Sequence, residues 1–257
     1  MFQRMYNLEI MDFPSGMSRI ARHLCVSIAL LFAHPLLARE PALVQSAQCQ
    51  DWVNYSLTYQ CSFRTATSAA NAIVVFALVS GTPAIAVTSV TDDHKPNANT
   101  YVQDLSYLFG EVQSIHFYCS AGTGKAQTVT VNANESTHFQ IVLMEVSGLA
   151  PEQPLRDRTS VRDNGYNSGT TFTSGPTAVT TKASEFLVGW TEQAYPNVMK
   201  FTDSPSWILV EQEPIGGSRI AYRISKSVGT FAYTGTFNGP GDYRVGAAIL
   251  TYRAVDD

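Results

Sequence analysis

The feature of this sequence that most constrains its fold is a succession of short apolar or alternating runs, separated by turns roughly every 8 to 15 residues. The run "SLTYQCSF" alternates, as a half-buried strand does, whereas "NAIVVFALV" is apolar on both faces, as in a central strand. No long amphipathic helix pattern is present, although "VQDLSYLF" could form a helical turn. About a dozen such runs predict an all-β, antiparallel, two-sheet sandwich in the form of a jelly roll.

Composition and charge agree with one strand-rich domain. The chain has 257 residues, of which 45% are hydrophobic and 15% are charged. Its length and hydrophobic fraction are sufficient for a substantial core. The net charge is −4 and no run of Lys and Arg occurs, so nucleic acid is not an expected partner. We expect a single β-sandwich domain over residues 41–255, in which the polar stretch 156–185 is a long surface loop with one or two short strands.

The N-terminal region has the pattern of a targeting segment. Residues 17–38 contain two arginines, an apolar run too short for a comfortable membrane span, and a small residue at Ala38, as a signal peptide does. We interpret residues 1–16 as an upstream extension before a start at Met17. An uncleaved anchor is the rival interpretation. No second long apolar segment follows, so we expect a secreted or cell-surface protein without a membrane span in its mature chain.

Three cysteines follow the predicted signal peptide. Export permits a disulfide, and Cys49 with Cys61 would staple the first hairpin or loop. Pairing of Cys61 with Cys119 is the alternative, and either choice leaves one thiol, which we expect to be buried in a strand. The spacing does not match a zinc site.

The order of several motifs is distinctive. "NAIVVFALV" is followed by "VTSVTDDHKPNANTY", "AQTVTV", "EVSG" and a closing "AAILTYRA". This order resembles a widespread, poorly characterised family of secreted bacterial jelly-roll modules, which share an E-x-S-G strand end and an A-A-x-x-Y-R-A last strand. The resemblance covers nearly all of the chain after the predicted signal peptide, but the cysteines depart from it. It implies the fold and an extracellular setting, an association with surface or carbohydrate-related proteins, and no catalytic residues.

Glu145 is the most conspicuous carboxylate, because it continues the apolar row of Phe139, Ile141 and Leu143 on one face of a strand. A buried carboxylate needs a cation or several hydrogen-bond donors. The candidate donors are the N–H groups of the following loop and four arginines on the late strands: Arg219, Arg223, Arg244 and Arg253. We predict a structural role. A general acid or base on polysaccharide would need a second carboxylate across a cleft, which the sequence does not identify.

The polar segment "TDDHKPNANTY" places four oxygen-bearing side chains at short spacing: Asp92, Asp93, Asn97 and Asn99. Carboxylate and amide oxygens could bind calcium, which is the single cofactor that the sequence suggests. The alternative is a hairpin loop in which these side chains cap their own backbone.

Exposed aromatic side chains are the predicted ligand-binding groups, because their faces stack on sugar rings. We select Trp52, Tyr166, Tyr195 and Trp207, and we expect Trp190 to lie in the core. No G-x-S-x-G stretch supports a serine hydrolase.

These observations predict a secreted, non-catalytic module that binds a glycan or cell-surface polymer. The alternative is a structural or adhesive surface protein that self-assembles through strand edges. A polysaccharide-acting enzyme is a third hypothesis.

Overall fold

The computed structural model describes residues 40–81, 85–110, 113–121, 124–153, 155–167, 170–194, 200–210, 218–238 and 243–255. The predicted upstream extension (1–16) and the predicted signal peptide (17–38) lie outside these ranges and stay predictions. The chain from Ala38 to Asp257 forms one compact unit, which includes the predicted domain of 41–255.

The described residues form fourteen strands and no helix. The strands of the first half are β1 (Ala42–Ser62), β2 (Ala72–Ser80), β3 (Val87–Asp92), β4 (Val102–Phe109), β5 (Gln113–Ser120) and β6 (Thr128–Ser147). Those of the second half are β7 (Arg156–Asn167), β8 (Thr171–Thr173), β9 (Glu185–Ala194), β10 (Lys200–Asp203), β11 (Ile208–Leu209), β12 (Ser218–Ile224), β13 (Thr234–Asn238) and β14 (Tyr243–Arg253).

Three antiparallel sheets contain these strands. The first sheet has the order β1-β6-β2-β5-β4, and β3 also pairs with β6. The second sheet has the order β11-β12-β9-β14-β7, and the third has the order β10-β13-β8. The prediction of an all-β, antiparallel sandwich is confirmed, whereas the small third sheet was not expected. Each half of the chain keeps to its own sheets, whereas the chain of the expected jelly-roll form crosses between sheets.

Two local expectations were wrong. "VQDLSYLF" is strand β4, not a helical turn, because pairing with β5 satisfies its backbone from Val102 to Phe109. The polar stretch 156–185 is not mainly a loop: its first twelve residues form β7, which pairs with β14. β7 lies at the edge of the second sheet, where a strand can be polar on its outer side.

A central core fills the space between the first and second sheets. Phe76 and Met144 from the first sheet meet Trp190 and Leu250 from the second, and each side chain is fully buried. Trp190 meets Phe109 edge to face, with ring centroids 5.7 Å apart. The expected core position of Trp190 is therefore confirmed.

The long strands β1 and β6 form a ribbon that folds over the first sheet. Their pairing passes from Asp51–Phe139 to Ser56–Thr137 and then to Thr58–Asn132, so each strand has extra residues at the bend. The far half of the ribbon, together with β3, covers the outer face of the first sheet and encloses a second core. In that core Val131 and Val90 pack with Val75, Ile141 and Leu143.

The third sheet covers the other face of the second sheet and encloses a third core. Phe172, Phe237 and Tyr233 pack there against Leu187 and Ala247. The two sheets approach closely at Gly189, where an added Cβ atom would lie 2.4 Å from the Tyr233 ring. A larger residue at position 189 would therefore push the third sheet away.

Candidate functional site

The bend of the ribbon forms a projecting tip, which we call the apex: residues 51–57 of β1 and 133–137 of β6. Asp51 fixes its shape, because one carboxylate oxygen accepts the N–H groups of Val53 (2.9 Å) and Asn54 (2.8 Å). These hydrogen bonds, led by that from Asn54, lower the pKa of Asp51. The carboxylate thus holds the turn in its ionised form.

Three rings gather at the apex, and we call Trp52, Tyr55 and His138 the ring cluster. The ring centroid of His138 lies 4.0 Å from that of Tyr55 and 5.8 Å from that of Trp52. Trp52 is half-buried and packs against the central core, whereas Tyr55 is 66% exposed. Aromatic faces held in this way offer a stacking platform for the C–H surface of a sugar ring.

A disulfide closes the base of the apex. Cys49 and Cys61 are 12 residues apart in one strand, yet their Cα atoms lie 5.5 Å apart. A straight strand would separate them by about 40 Å. The disulfide therefore joins the two arms of the folded ribbon, and the predicted pairing is confirmed. Cys119 is the buried free thiol, and burial raises its pKa.

A concave surface lies on the third sheet. It is a groove of about 820 Å³ lined by residues of β7, β8, β10 and β13 and by the turn after β10. Six hydroxyl side chains, which we call the hydroxyl face, line it: Thr171, Thr173, Thr202, Ser204, Thr234 and Thr236. The volume is typical of small-molecule sites.

Two carboxylates also line the groove, and both are bound by arginine. Asp203 accepts a hydrogen bond from Arg219 Nε at 2.8 Å and another from the Tyr233 hydroxyl. Asp163 accepts from Arg244 Nε at 2.8 Å. Burial favours the neutral form of Asp163, but the hydrogen bonds from Arg244 and the Gly165 N–H lower its pKa overall. Asp163, with its lowered pKa, does not resemble the protonated acid that a glycosidase needs.

Glu145 lies at the end of the apolar row, as predicted, and is 1% exposed. Its donors are the side chains of Gln45 and Asn71, each at 2.6 Å, and the Ser68 N–H at 2.7 Å. Among the described residues, neither an arginine nor an N–H group of the following loop donates to it, so both sets of candidate donors were wrong. Three donors from β1 and from loop 63–71 satisfy the carboxylate, which favours the structural role over a catalytic one.

The aspartates of the proposed calcium segment bind backbone and amide groups. Asp92 accepts hydrogen bonds from Asn99 Nδ2 (2.6 Å) and the Tyr101 hydroxyl (2.9 Å). Asp93 accepts the N–H groups of Gln127 (2.8 Å) and Thr128 (3.0 Å). Asn97 is exposed. Asp92 also accepts the N–H groups of His94 (3.1 Å) and Asn99 (3.3 Å) from its own segment, which favours the capping alternative. Within the described ranges no group of three His, Cys, Asp or Glu side chains could hold a metal.

Trp207, another of the predicted aromatic residues, does not join the ring cluster. Trp207 is 7% exposed, and its ring centroid lies 4.7 Å from that of Tyr233. It packs into the third core and presents no free face for stacking. Tyr195 and the side chain of Tyr166 lie outside the described part of the chain. Sequence reasoning missed Tyr55 and His138, although Tyr55 follows Trp52 in the same polar segment.

Comparison of the chain with protein families, with curated proteins and with solved structures found no match. The resemblance to secreted jelly-roll modules therefore stays a prediction. Among the described residues, no helix has the length and apolar character to cross a membrane.

Proposed function

We propose that this protein is a secreted, non-catalytic module that binds a glycan or cell-surface polymer through the ring cluster. The observation that carries the proposal is the exposure of Tyr55 beside Trp52 and His138 on a disulfide-closed projection. Rings held in place lose little conformational freedom when a ligand stacks on them.

The surroundings of the ring cluster support binding at the apex. Val53 and Leu57 are 85% and 54% exposed. Apolar side chains therefore gather at the apex, although their exposure means that they stabilise the fold little by burial. Single exposed apolar residues are normal, but a group of them on a projection marks an interaction surface.

Four of the described edge strands, β4, β8, β10 and β11, argue against self-assembly as the main function. Edge strand β4 contains an irregularity between Gln103 and Leu105, and Asp104 at that point is 7% exposed and paired with Arg156. An inward-pointing charge and a bulge prevent strand addition. The edge strands β8, β10 and β11 have only three, four and two residues.

The test is retention of the purified chain on insoluble polysaccharides and cell-wall material, with Trp52→Ala and Tyr55→Ala as variants. We expect saturable binding to one polymer and about tenfold weaker binding for each variant, because stacking buries an aromatic face. Ile208→Ala is the matched control, because Ile208 is 56% exposed on β11 of the second sheet and is not one of the residues of the apex. Thermal unfolding of every variant confirms that the fold is intact.

Val53→Ala separates stacking from general apolar contact. Stacking on the rings predicts that Val53→Ala weakens retention less than Tyr55→Ala does, because an aliphatic side chain buries less apolar area than a stacked ring. The proposal fails if no polymer retains the parent chain, or if Val53→Ala and Ile208→Ala reduce retention as much as Tyr55→Ala.

A further inference from the structure

We infer that the groove of the third sheet is a second binding site, which takes an extended acidic polysaccharide bearing carboxylate groups. The inference stands on the groove alone and does not depend on binding at the apex. Its support comes from the hydroxyl face, the local charge and the rigidity of the groove wall.

The hydroxyl face forms two rows across three strands. Thr202 and Thr171 both pair with Thr236, which places three hydroxyl groups in one row. Thr173 pairs with Thr234, whose Oγ1 lies 2.9 Å from Ser204 Oγ, and these three form the second row. Neighbouring strands are about 4.8 Å apart, so each row spans about 10 Å. That length exceeds one sugar ring and suits a chain of them.

The groove is locally positive in an acidic protein. Asp163 and Asp203 are neutralised by Arg244 and Arg219. Arg162, which also lines the groove, is exposed and forms no ion pair within the described ranges. One uncompensated guanidinium therefore faces the groove, although the whole chain has a net charge of −4. A guanidinium binds a carboxylate with two parallel hydrogen bonds.

The groove offers polar contacts in place of stacking. Phe172 is the aromatic residue among its lining residues, and it is 2% exposed because its ring points into the third core. Hydroxyl groups donate to carboxylate oxygens and accept from sugar hydroxyls, so the hydroxyl face can follow either part of a uronate chain. This chemistry differs from that of the ring cluster.

The wall of the groove is rigid before any ligand arrives. Asn164 Nδ2 donates to the Thr173 carbonyl at 3.1 Å, and the Thr173 N–H donates to Asn164 Oδ1 at 3.3 Å. This double contact ties β7 of the second sheet to β8 of the third. A preformed wall reduces the entropy that binding must overcome.

The test is calorimetric titration of the full chain with oligogalacturonate and with a neutral cello-oligosaccharide of the same length. We expect saturable binding of the uronate, weakened by salt, and at least tenfold weaker binding of the neutral chain. Arg162→Gln should weaken uronate binding about tenfold, and Thr236→Val, which keeps the side-chain shape, about threefold. Arg64→Gln, an exposed arginine in loop 63–71, is the matched control and should bind like the parent.

Three results would overturn the inference: no saturable uronate binding, equal binding of the acidic and neutral chains, or an equal loss in Arg64→Gln and Arg162→Gln. Tyr55→Ala distinguishes the two sites, because it should leave uronate binding unchanged. Loss of polymer retention in Tyr55→Ala with uronate binding intact would support two separate sites.

Discussion

At the scale of single residues, two buried carboxyl groups of this protein have different surroundings. Glu145 is surrounded by three donors, whereas Glu185 lies beside another carboxyl group, that of Asp157. The Lys182 N–H donates to Glu185 Oε1 at 3.1 Å, and the Thr181 N–H donates to Asp157 Oδ2 at 2.6 Å. Burial, and then the neighbouring Asp157, raise the pKa of Glu185 to about 7. Although burial favours its neutral form, hydrogen bonds led by the Thr181 N–H lower the pKa of Asp157.

This pair makes stability depend on pH. The folded pKa of Glu185 is about 7 and its ordinary value is 4.5, so between these values the folded chain holds a proton that the unfolded chain releases. The contribution of Glu185 is therefore complete below about pH 4.5 and is lost as the pH rises through 7. We expect Glu185→Gln to remove this loss, measured as the free energy of unfolding in urea from pH 5 to 8.

The difference between parent and variant isolates Glu185 from the other titrating groups. His116, whose pKa burial lowers from 6.5 to about 4, acts in the opposite direction below pH 6.5 in both proteins. Glu152→Gln is the control, because Glu152 is exposed. Parallel curves for the parent and Glu185→Gln would contradict the assignment.

At the scale of elements, the folded ribbon depends on its disulfide. Cys49 and Cys61 are 12 positions apart in the sequence, and closing a loop of this length stabilises a protein by about 3 kcal/mol through the unfolded state. We expect Cys49→Ala/Cys61→Ala to lower the free energy of unfolding by roughly that amount, measured by urea denaturation. Dithiothreitol should lower the stability of the parent but not of the double variant. Equal sensitivity of both proteins to the reductant would show that the disulfide is not the stabilising group.

Strands covered on both faces were the elements that the sequence predicted best. β2 is buried along Ala72–Val79, as its unbroken apolar run indicated, and Leu143 and Met144 of β6 face different cores. β7 was missed because an edge strand with charged residues has the composition of a loop. The apex could not be predicted from the sequence. Tyr55 and His138 are 83 positions apart (138 minus 55), and extra residues in both β1 and β6 bring their rings together. The hydroxyl face likewise depends on the register of three short strands.

At the scale of the whole molecule, the described edge strands β4, β7, β8, β10 and β11 are short, charged or interrupted, and the pairing of the long edge strand β1 with β6 shifts register between Asp51 and Thr58. β4 has its inward Asp104, and β7 carries five charged residues: Arg156, Asp157, Arg158, Arg162 and Asp163. We therefore expect the chain to stay monomeric at high concentration, measured by size-exclusion chromatography with light scattering. A concentration-dependent oligomer that Asp104→Asn does not alter would contradict this account of the edges and would favour the adhesive alternative.

The pairing of β1 with β6 sets the order in which the molecule can be assembled. Gln45 and Glu145, which contact each other across this pair, are 100 residues apart in the chain. During synthesis β1 has no pairing partner until β6 has been made, and four other strands, β2 to β5, are synthesised in between. Pairings of such long sequence separation fold slowly, on the scale of milliseconds to seconds. The near and far halves of the ribbon must then form together, because β1 and β6 each run through both halves.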